Sequence, residues 1–271
     1  MANIDIVIPE HTATNKQIRR YAWRRVRAHY WPLLLLSFLV LAPAALQLAT
    51  MALLGNTAWM KYISPITTLL FTPLNIGTAV YTYNIYLNIG DKWQSVFKYY
   101  RDKDLINTSY GLGIVNGIIT LVIQLIPNIY TALNPGVVVY YNTQIFVSLL
   151  SLLLVCLTSV YLFLTPYIFM LNKEKTLMTI IKDSIIGIRG FVFKYIGFII
   201  SLVIIIILVL FVIGTALISM FLVLGVDINM IFVLFTSVIM FILTLFTPYI
   251  RVATSGYAYK LLNREHGETQ Q

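Results

Sequence analysis

The sequence predicts an all-α polytopic membrane protein, a single bundle of six transmembrane helices spanning residues 1–271. Two observations lead to this prediction. Hydrophobic residues make up 59% of the 271-residue chain and charged residues 11%, whereas soluble domains are about half apolar and about one quarter charged. The apolar residues are also gathered into six stretches, each long enough for the roughly 20 helical residues that cross a bilayer.

We expect the six crossings where the apolar stretches are longest, at Trp31–Leu54, Ile63–Tyr86, Leu105–Leu133, Thr143–Leu171, Tyr195–Leu224 and Met230–Ala253. Around them the chain divides into a basic amphipathic segment at 1–30, a transmembrane region at 31–262 and a short tail at 263–271. The first thirty residues are polar and basic, so we expect no cleavable signal peptide, which needs an early apolar core.

Lysine and arginine residues alternate along the chain between rich and poor segments. Six lie in the N-terminal segment, then 1, 4, 0, 5 and 0 in the five loops, and three in the C-terminal part. Because positive residues concentrate in cytoplasmic loops, both termini are predicted to be cytoplasmic. Each such residue contributes about 1 kcal/mol of attraction to an anionic leaflet, so we expect anionic lipid headgroups as partners at this face. A membrane protein is a further candidate partner, whereas no loop is long enough for a nucleic-acid-binding module.

Each cytoplasmic segment is predicted to hold a short amphipathic helix that lies at the membrane interface, its apolar stripe towards the acyl chains. The stripes are Ile18, Tyr21, Ala22, Val26 and His29 in the first, Trp93, Val96, Phe97 and Tyr100 in the second, and Leu177, Ile180, Ile181, Ile185 and Ile188 in the third. Arg25 also falls on the first stripe. Either it meets a carboxylate or a phosphate there, or that helix does not lie flat.

A Thr-Pro step recurs in each inward crossing, at Thr72-Pro73, Thr165-Pro166 and Thr247-Pro248. Proline removes a helical donor and kinks a helix. Together with the interfacial helices, these steps indicate a threefold internal repeat of one module: interfacial helix, outward helix, inward helix. The kinked helices either line a shared cavity or only shape the bundle.

The candidate binding residues are polar side chains within the crossings. Arg251 is the one charged residue between the predicted crossing ends, and it either snorkels to the headgroups or binds an anionic lipid or ligand group. Amides in membrane helices bond across helix interfaces or line sites, and the candidates are Asn75, Asn84, Asn116 and Gln124.

Catalytic signatures are absent from the sequence. It has no zinc-protease, P-loop or serine-hydrolase motif, and the three histidines are not spaced as metal ligands. No predicted crossing holds an acid that would serve as a general base. We therefore predict a protein that is not an enzyme and has no catalytic residue, metal or cofactor.

Three segments of the chain resemble the corresponding segments of a known family. They are the basic start at 18–32, the stretch at 175–194 and the ending at 247–261. In these segments the chain resembles the Domain of Unknown Function 975 family of Gram-positive multi-pass integral membrane proteins. The resemblance implies a bacterial plasma-membrane protein with several crossings, and it implies no activity and no site residues.

Three functional hypotheses follow from these observations. The first is a non-enzymatic membrane protein that acts by binding, either as an accessory subunit of a transport or export system or as an immunity-type protein against membrane-active peptides. The second is a small transporter or lipid translocase whose cavity is lined by the Thr-Pro-kinked helices. The third is a membrane scaffold that uses its interfacial helices.

Overall fold

The computed structural model describes residues 13–54, 60–90, 92–133, 141–223 and 228–263, with most of their side chains. Helices account for nearly all of these residues, and no strand occurs among them. In chain order they are α1 (Asn15–Ala28), α2 (Tyr30–Leu54), α3 (Met60–Tyr86), a 3₁₀ helix (Trp93–Phe97), α4 (Lys98–Arg101), α5 (Lys103–Leu133), α6 (Tyr141–Tyr161), α7 (Thr165–Leu171), α8 (Leu177–Ile188), α9 (Val192–Val223) and α10 (Ile228–Leu262).

Several of these helices are apolar enough to cross a membrane. Within the described residues four qualify by length and composition, over Lys103–Pro127, Ile145–Leu171, Val192–Ala216 and Ser237–Leu262. A fifth is added if α1 and α2, which meet at 97°, are counted together. The helix α3 is not among them.

The predicted crossing Thr143–Leu171 is two helices, α6 and α7, joined by a turn at 162–164. Pro166 has no backbone N–H for the Leu162 carbonyl four residues earlier, and the Thr165 hydroxyl donates to that carbonyl at 2.7 Å. The buried Ser184 hydroxyl of α8 donates to the Tyr161 carbonyl, also at 2.7 Å. The Leu162 carbonyl also accepts from the Thr165 N–H at 3.1 Å, so side-chain hydroxyls add to the backbone hydrogen bonds at this turn.

The long helices form a closed ring in the order α2, α3, α5, α6, α9, α10 and back to α2, with α10 also touching α3 across the ring. We call the basic end of the ring the end where α2, α5 and α9 begin and where α3, α7 and α10 end. Most buried side chains described in the structure lie towards this end, whereas α5, α6 and α9 expose apolar side chains further along, such as Ile118, Phe146 and Phe211.

The first amphipathic helix differs from its prediction. The apolar face of α1 lies against α10 and α3 rather than towards acyl chains, and Ile18, Ala22 and Val26 are each at most 1% exposed. A capping box at Thr14 and Gln17 starts the helix. Gly256 of α10 allows the close approach, because a Cβ there would overlap the Tyr86 ring.

The second amphipathic helix also differs from its prediction. In place of one α-helix, the chain forms the 3₁₀ helix followed by the single turn α4. A 3₁₀ helix has three residues per turn, so Trp93, Val96 and Tyr99 share a face, and Val96 and Tyr99 are the buried members. The Val96 carbonyl lies against Gly77 of α3, where a Cβ would be 2.5 Å from its oxygen.

The third amphipathic helix, α8, has apolar residues on two sides. Ile180 and Ile188 are buried against the bundle, whereas Met178 and Ile185 are exposed. Of the three predicted interfacial helices, α8 is therefore the one whose exposed apolar side chains fit a position at a membrane interface.

Candidate polar site between α3, α7 and α10

Polar side chains from three helices meet inside the ring. An Arg251 guanidinium N–H on α10 donates to the Asn75 Oδ1 atom on α3 at 3.2 Å. The Tyr167 phenol of α7 lies near enough to the Arg251 guanidinium to interact with it electrostatically. The structure thus brings together two of the predicted binding residues, Arg251 and Asn75.

A hydroxyl cluster lies one turn further towards the basic end. The Ser255 hydroxyl donates to the Arg251 carbonyl at 2.9 Å, and its oxygen lies 2.9 Å from the Thr82 hydroxyl and 3.3 Å from the Tyr167 hydroxyl. Thr82 and Ser255 are at most 1% exposed. These bonds join α3, α7 and α10 at one level, so the Arg251 backbone is held firmly. We call Asn75, Thr82, Tyr167, Arg251 and Ser255 the polar site.

Aromatic rings close the basic end of the ring below the polar site. They form a continuous series of ring contacts from α1 through α3, α10 and α7 to α9, with centroid distances of 4.2–6.3 Å, through Tyr21, Tyr86, Tyr259, Tyr83, Tyr167, Phe163, Tyr195, Tyr257 and Phe198. Most of these rings are buried. We call this set the aromatic layer, and Tyr167 belongs both to it and to the polar site.

Arg25 has a different and more complete environment. Its Nε and one terminal nitrogen donate to the Tyr21 hydroxyl at 3.0 and 2.9 Å, and its other terminal nitrogen donates to the Asn88 Oδ1 atom at 2.7 Å. Asn88 adopts the left-handed conformation just after α3, with φ of 60°, a conformation that asparagine tolerates at helix ends. Arg25 thus binds an amide and a phenol, a third kind of partner besides the two that the sequence predicts.

The remaining amide candidates lie at other positions of α3 and α5. Asn84 is half-buried on α3, where its backbone carbonyl accepts from the Ile89 N–H. Asn116 is exposed on α5. The Gln124 side chain lies outside the described part of the chain, although its backbone belongs to α5.

The three Thr-Pro steps bond within their own surroundings. Thr72 lies against Gly113 of α5. Thr165 bonds to Leu162 in the turn before α7, and the Thr247 hydroxyl donates to the Leu243 carbonyl of its own helix at 2.7 Å. Pro73 and Pro248 lie within continuous α-helices, whereas Pro166 follows the break between α6 and α7. The described contacts give the three steps no common polar lining.

Sequence reasoning does not single out Thr82, Tyr167 or Ser255. A hydroxyl in an apolar helix most often bonds to its own backbone four residues earlier, as Thr78 and Thr244 do here. Only the packing of α3, α7 and α10 shows which hydroxyls face one another.

In the described ranges, no three His, Cys, Asp or Glu residues come together as a metal would require. No family model matches the chain, and no curated protein or solved structure matches it either.

Proposed function

We propose that the chain crosses a bacterial plasma membrane six times, with both termini in the cytoplasm, and belongs to the Domain of Unknown Function 975 family. The order of elements supports the six crossings and the threefold repeat. A short helical segment precedes each pair of long helices: α1 before α2 and α3, the 3₁₀ helix and α4 before α5 and α6, and α8 before α9 and α10. The uneven charge of the loops supports the placement of both termini.

We further propose that the protein is not an enzyme and acts by binding, as an accessory subunit of a transport or export system. The observation that carries this proposal is the folded basic surface of α1. Hydrogen bonds from Lys260 to the Ala13 carbonyl at 2.7 Å and from Arg25 to Asn88 hold α1 in place. The helix α1 contains no acidic residue. Its outer face exposes four cations, Lys16, Arg20, Arg24 and Arg27.

Such a surface is complementary to an acidic surface on a neighbouring membrane protein. Because α1 is already folded and docked, a partner binds it without ordering a flexible segment, and preorganisation of this kind favours affinity. Opposite charges across an interface also give specificity and rapid association. An immunity-type protein would use the same surface against its own partner and belongs to the same binding class.

The test is extraction in native-lipid nanodiscs followed by mass spectrometry of the co-purifying proteins. We expect a stoichiometric protein partner with the wild type and about tenfold less of it with Arg20→Glu and Arg24→Glu together, since two close charge pairs become repulsive. The matched control is Lys182→Glu with Arg189→Glu, which makes the same charge change on exposed residues near α8. A wild type that carries no protein partner, or equal loss in both double variants, contradicts the accessory role.

A small lipid translocase is the second candidate, and the position of Arg251 inside a ring of six helices favours it. A flux assay in liposomes distinguishes the two candidates. A translocase gives flux of a labelled lipid with the pure protein, and combining Pro73→Ala, Pro166→Ala and Pro248→Ala slows that flux if the kinks gate it. Absence of flux from the wild type excludes this candidate.

A further inference from the structure

Two arginines lie inside the bundle, and they differ in how completely they are bonded. The Arg25 guanidinium donates three hydrogen bonds and lies 5.1 Å from the Tyr21 ring centroid. The Arg251 guanidinium has five N–H groups but donates only the single 3.2 Å bond to Asn75 among the described residues. Arg251 therefore has donors left over.

The positive charge of Arg251 also has no counter-ion in the described part of the chain. The acids described there lie in or beside the segments at the basic end, at Asp102, Asp104, Glu174 and Asp183. The partners of Arg251 are an amide and a phenol, both neutral groups. A guanidinium partly removed from water is stable only when it is paired with an anion or well hydrogen-bonded. A bound anion would neutralise the positive charge of Arg251 and would accept hydrogen bonds from its remaining N–H groups.

The depth of Arg251 indicates where that anion comes from. Arg251 precedes Tyr257, the first residue of the aromatic layer on α10, by six residues, and Asn75 precedes Tyr83 on α3 by eight, which is about 9 and 12 Å of helix. On both helices, residues of the aromatic layer thus lie between the Arg251–Asn75 pair and the basic end. Arg251 lies two residues before Ala253, the predicted inner end of its crossing, which is about 3 Å of helix. A long cationic side chain so near the end of a crossing reaches the level of the phosphates of that leaflet.

We propose that Arg251 and Asn75 form a binding site for the phosphate group of an anionic phospholipid of the cytoplasmic leaflet. The planar guanidinium binds two phosphate oxygens side by side. The Asn75 amide holds the guanidinium in place through its oxygen. This inference rests on the proposed orientation of the chain in the membrane, and it identifies a lipid that the protein holds as it meets its partner.

The experiment measures bound phospholipid by native mass spectrometry after the pure protein is reconstituted in nanodiscs of phosphatidylcholine with a minor fraction of phosphatidylglycerol. We expect one phosphatidylglycerol molecule to remain with the wild type. In Arg251→Gln its affinity should fall about tenfold or more, the size expected for lost charge-assisted hydrogen bonds. Arg101→Gln removes the same charge from an exposed residue at the end of α4, outside the α1 surface, and should change the affinity less than twofold.

A second variant keeps the test valid if Arg251→Gln fails to fold. Asn75→Asp places a carboxylate beside the guanidinium, so the protein supplies its own anion, and we expect the lipid to be lost while the fold is retained. Wild-type affinity in Asn75→Asp overturns the proposal, because the lipid then does not depend on the charge of Arg251. Equal losses in Arg251→Gln and Arg101→Gln also overturn it, because they indicate attraction by net charge alone.

Two further measurements distinguish a lipid phosphate from free phosphate, and the Arg251 site from the accessory role. If inorganic phosphate at millimolar concentration displaces phosphatidylglycerol from the wild type, the site takes free phosphate and the lipid assignment is wrong. If the lipid is retained but no protein partner co-purifies from native membranes, the accessory role fails and the Arg251 site stands. If a partner is present and the wild type holds no anionic lipid, the site fails and the accessory role stands.

Discussion

At the scale of single residues, Arg25 and Arg251 differ in role: Arg25 supports the fold, and Arg251 is a candidate ligand-binding residue. Arg25 is buried and bonded to Tyr21 and Asn88, whereas Arg251 donates a single described hydrogen bond, to Asn75. The sequence marks both as unusual, because one lies on an apolar stripe and the other inside a crossing. It gives no indication that Asn88, 63 residues away, is the partner of Arg25, because such pairing depends on how α1 folds back on the bundle.

His29 gives a prediction about pH at the same scale. It stands between α1 and α2, where partial burial and the nearby Arg25 charge lower the pKa of its imidazole below the usual 6.5. The unfolded chain therefore binds a proton here at a pH where the folded protein does not, so stability falls as the pH drops below about 6.5. We expect a lower unfolding temperature in nanodiscs at pH 5.5 than at pH 7.5, and a smaller difference in His29→Gln.

The control variants for this prediction are His11→Gln and His266→Gln, which remove the other two histidines. They should leave the pH difference as it is in the wild type. If His29→Gln keeps the full difference while one of the controls loses it, the pH dependence belongs to another histidine and the prediction for His29 is wrong.

At the scale of elements, hydrophobic periodicity predicts where helices lie better than it predicts what they face. The observed α2 and α5 begin within two residues of their predicted starts. The helix α10 runs on to Leu262, nine residues past its predicted end, because its last turns pack under α1. A helix that faces lipid and a helix that faces protein have the same pattern of apolar residues in the sequence. The position of α1 against the bundle was therefore not predictable from that pattern. Arg25 within that stripe was the only sequence sign of it.

Gly256 provides a test of how closely α1, α3 and α10 are packed. A Cβ at this position would overlap the buried Tyr86 ring and lie 2.9 Å from an Ile18 side-chain carbon. We expect Gly256→Ala to lower the free energy of unfolding by about 1–3 kcal/mol, as overpacking of a core does. Denaturant unfolding in micelles, followed by tryptophan fluorescence, measures the change.

The matched control is Gly197→Ala in α9, where a Cβ would meet no atom within 4 Å. Alanine favours helix more than glycine does, so this variant should be within about 0.5 kcal/mol of the wild type or slightly more stable. If the two alanine variants have the same stability, the close approach of α1 to α10 does not limit packing at this junction.

At the scale of the whole molecule, the described chain has a packed basic end and a looser apolar part. Buried side chains gather among α1, the aromatic layer and α8, whereas α5, α6 and α9 expose leucine, isoleucine and phenylalanine along much of their length. Hydropathy alone predicts the apolar part, since lipid contact requires only apolar residues. The packed end and the polar site depend on contacts between distant segments, which composition does not encode.

The proposed orientation in the membrane gives a prediction at this scale. The basic end carries nearly all the cations, and moving such loops across a bilayer is strongly disfavoured, so the basic end should remain in the cytoplasm. In a Cys156→Ser background, which removes the only native cysteine, we expect Val137→Cys and Val226→Cys to react with a membrane-impermeant maleimide on intact cells. Lys182→Cys, at an exposed position of α8, should react only after the cells are permeabilised. Labelling of Lys182→Cys on intact cells, with both loop cysteines protected, would show that the orientation is the reverse of the one proposed. It would also place the α1 surface and the Arg251 phosphate site on the outer leaflet.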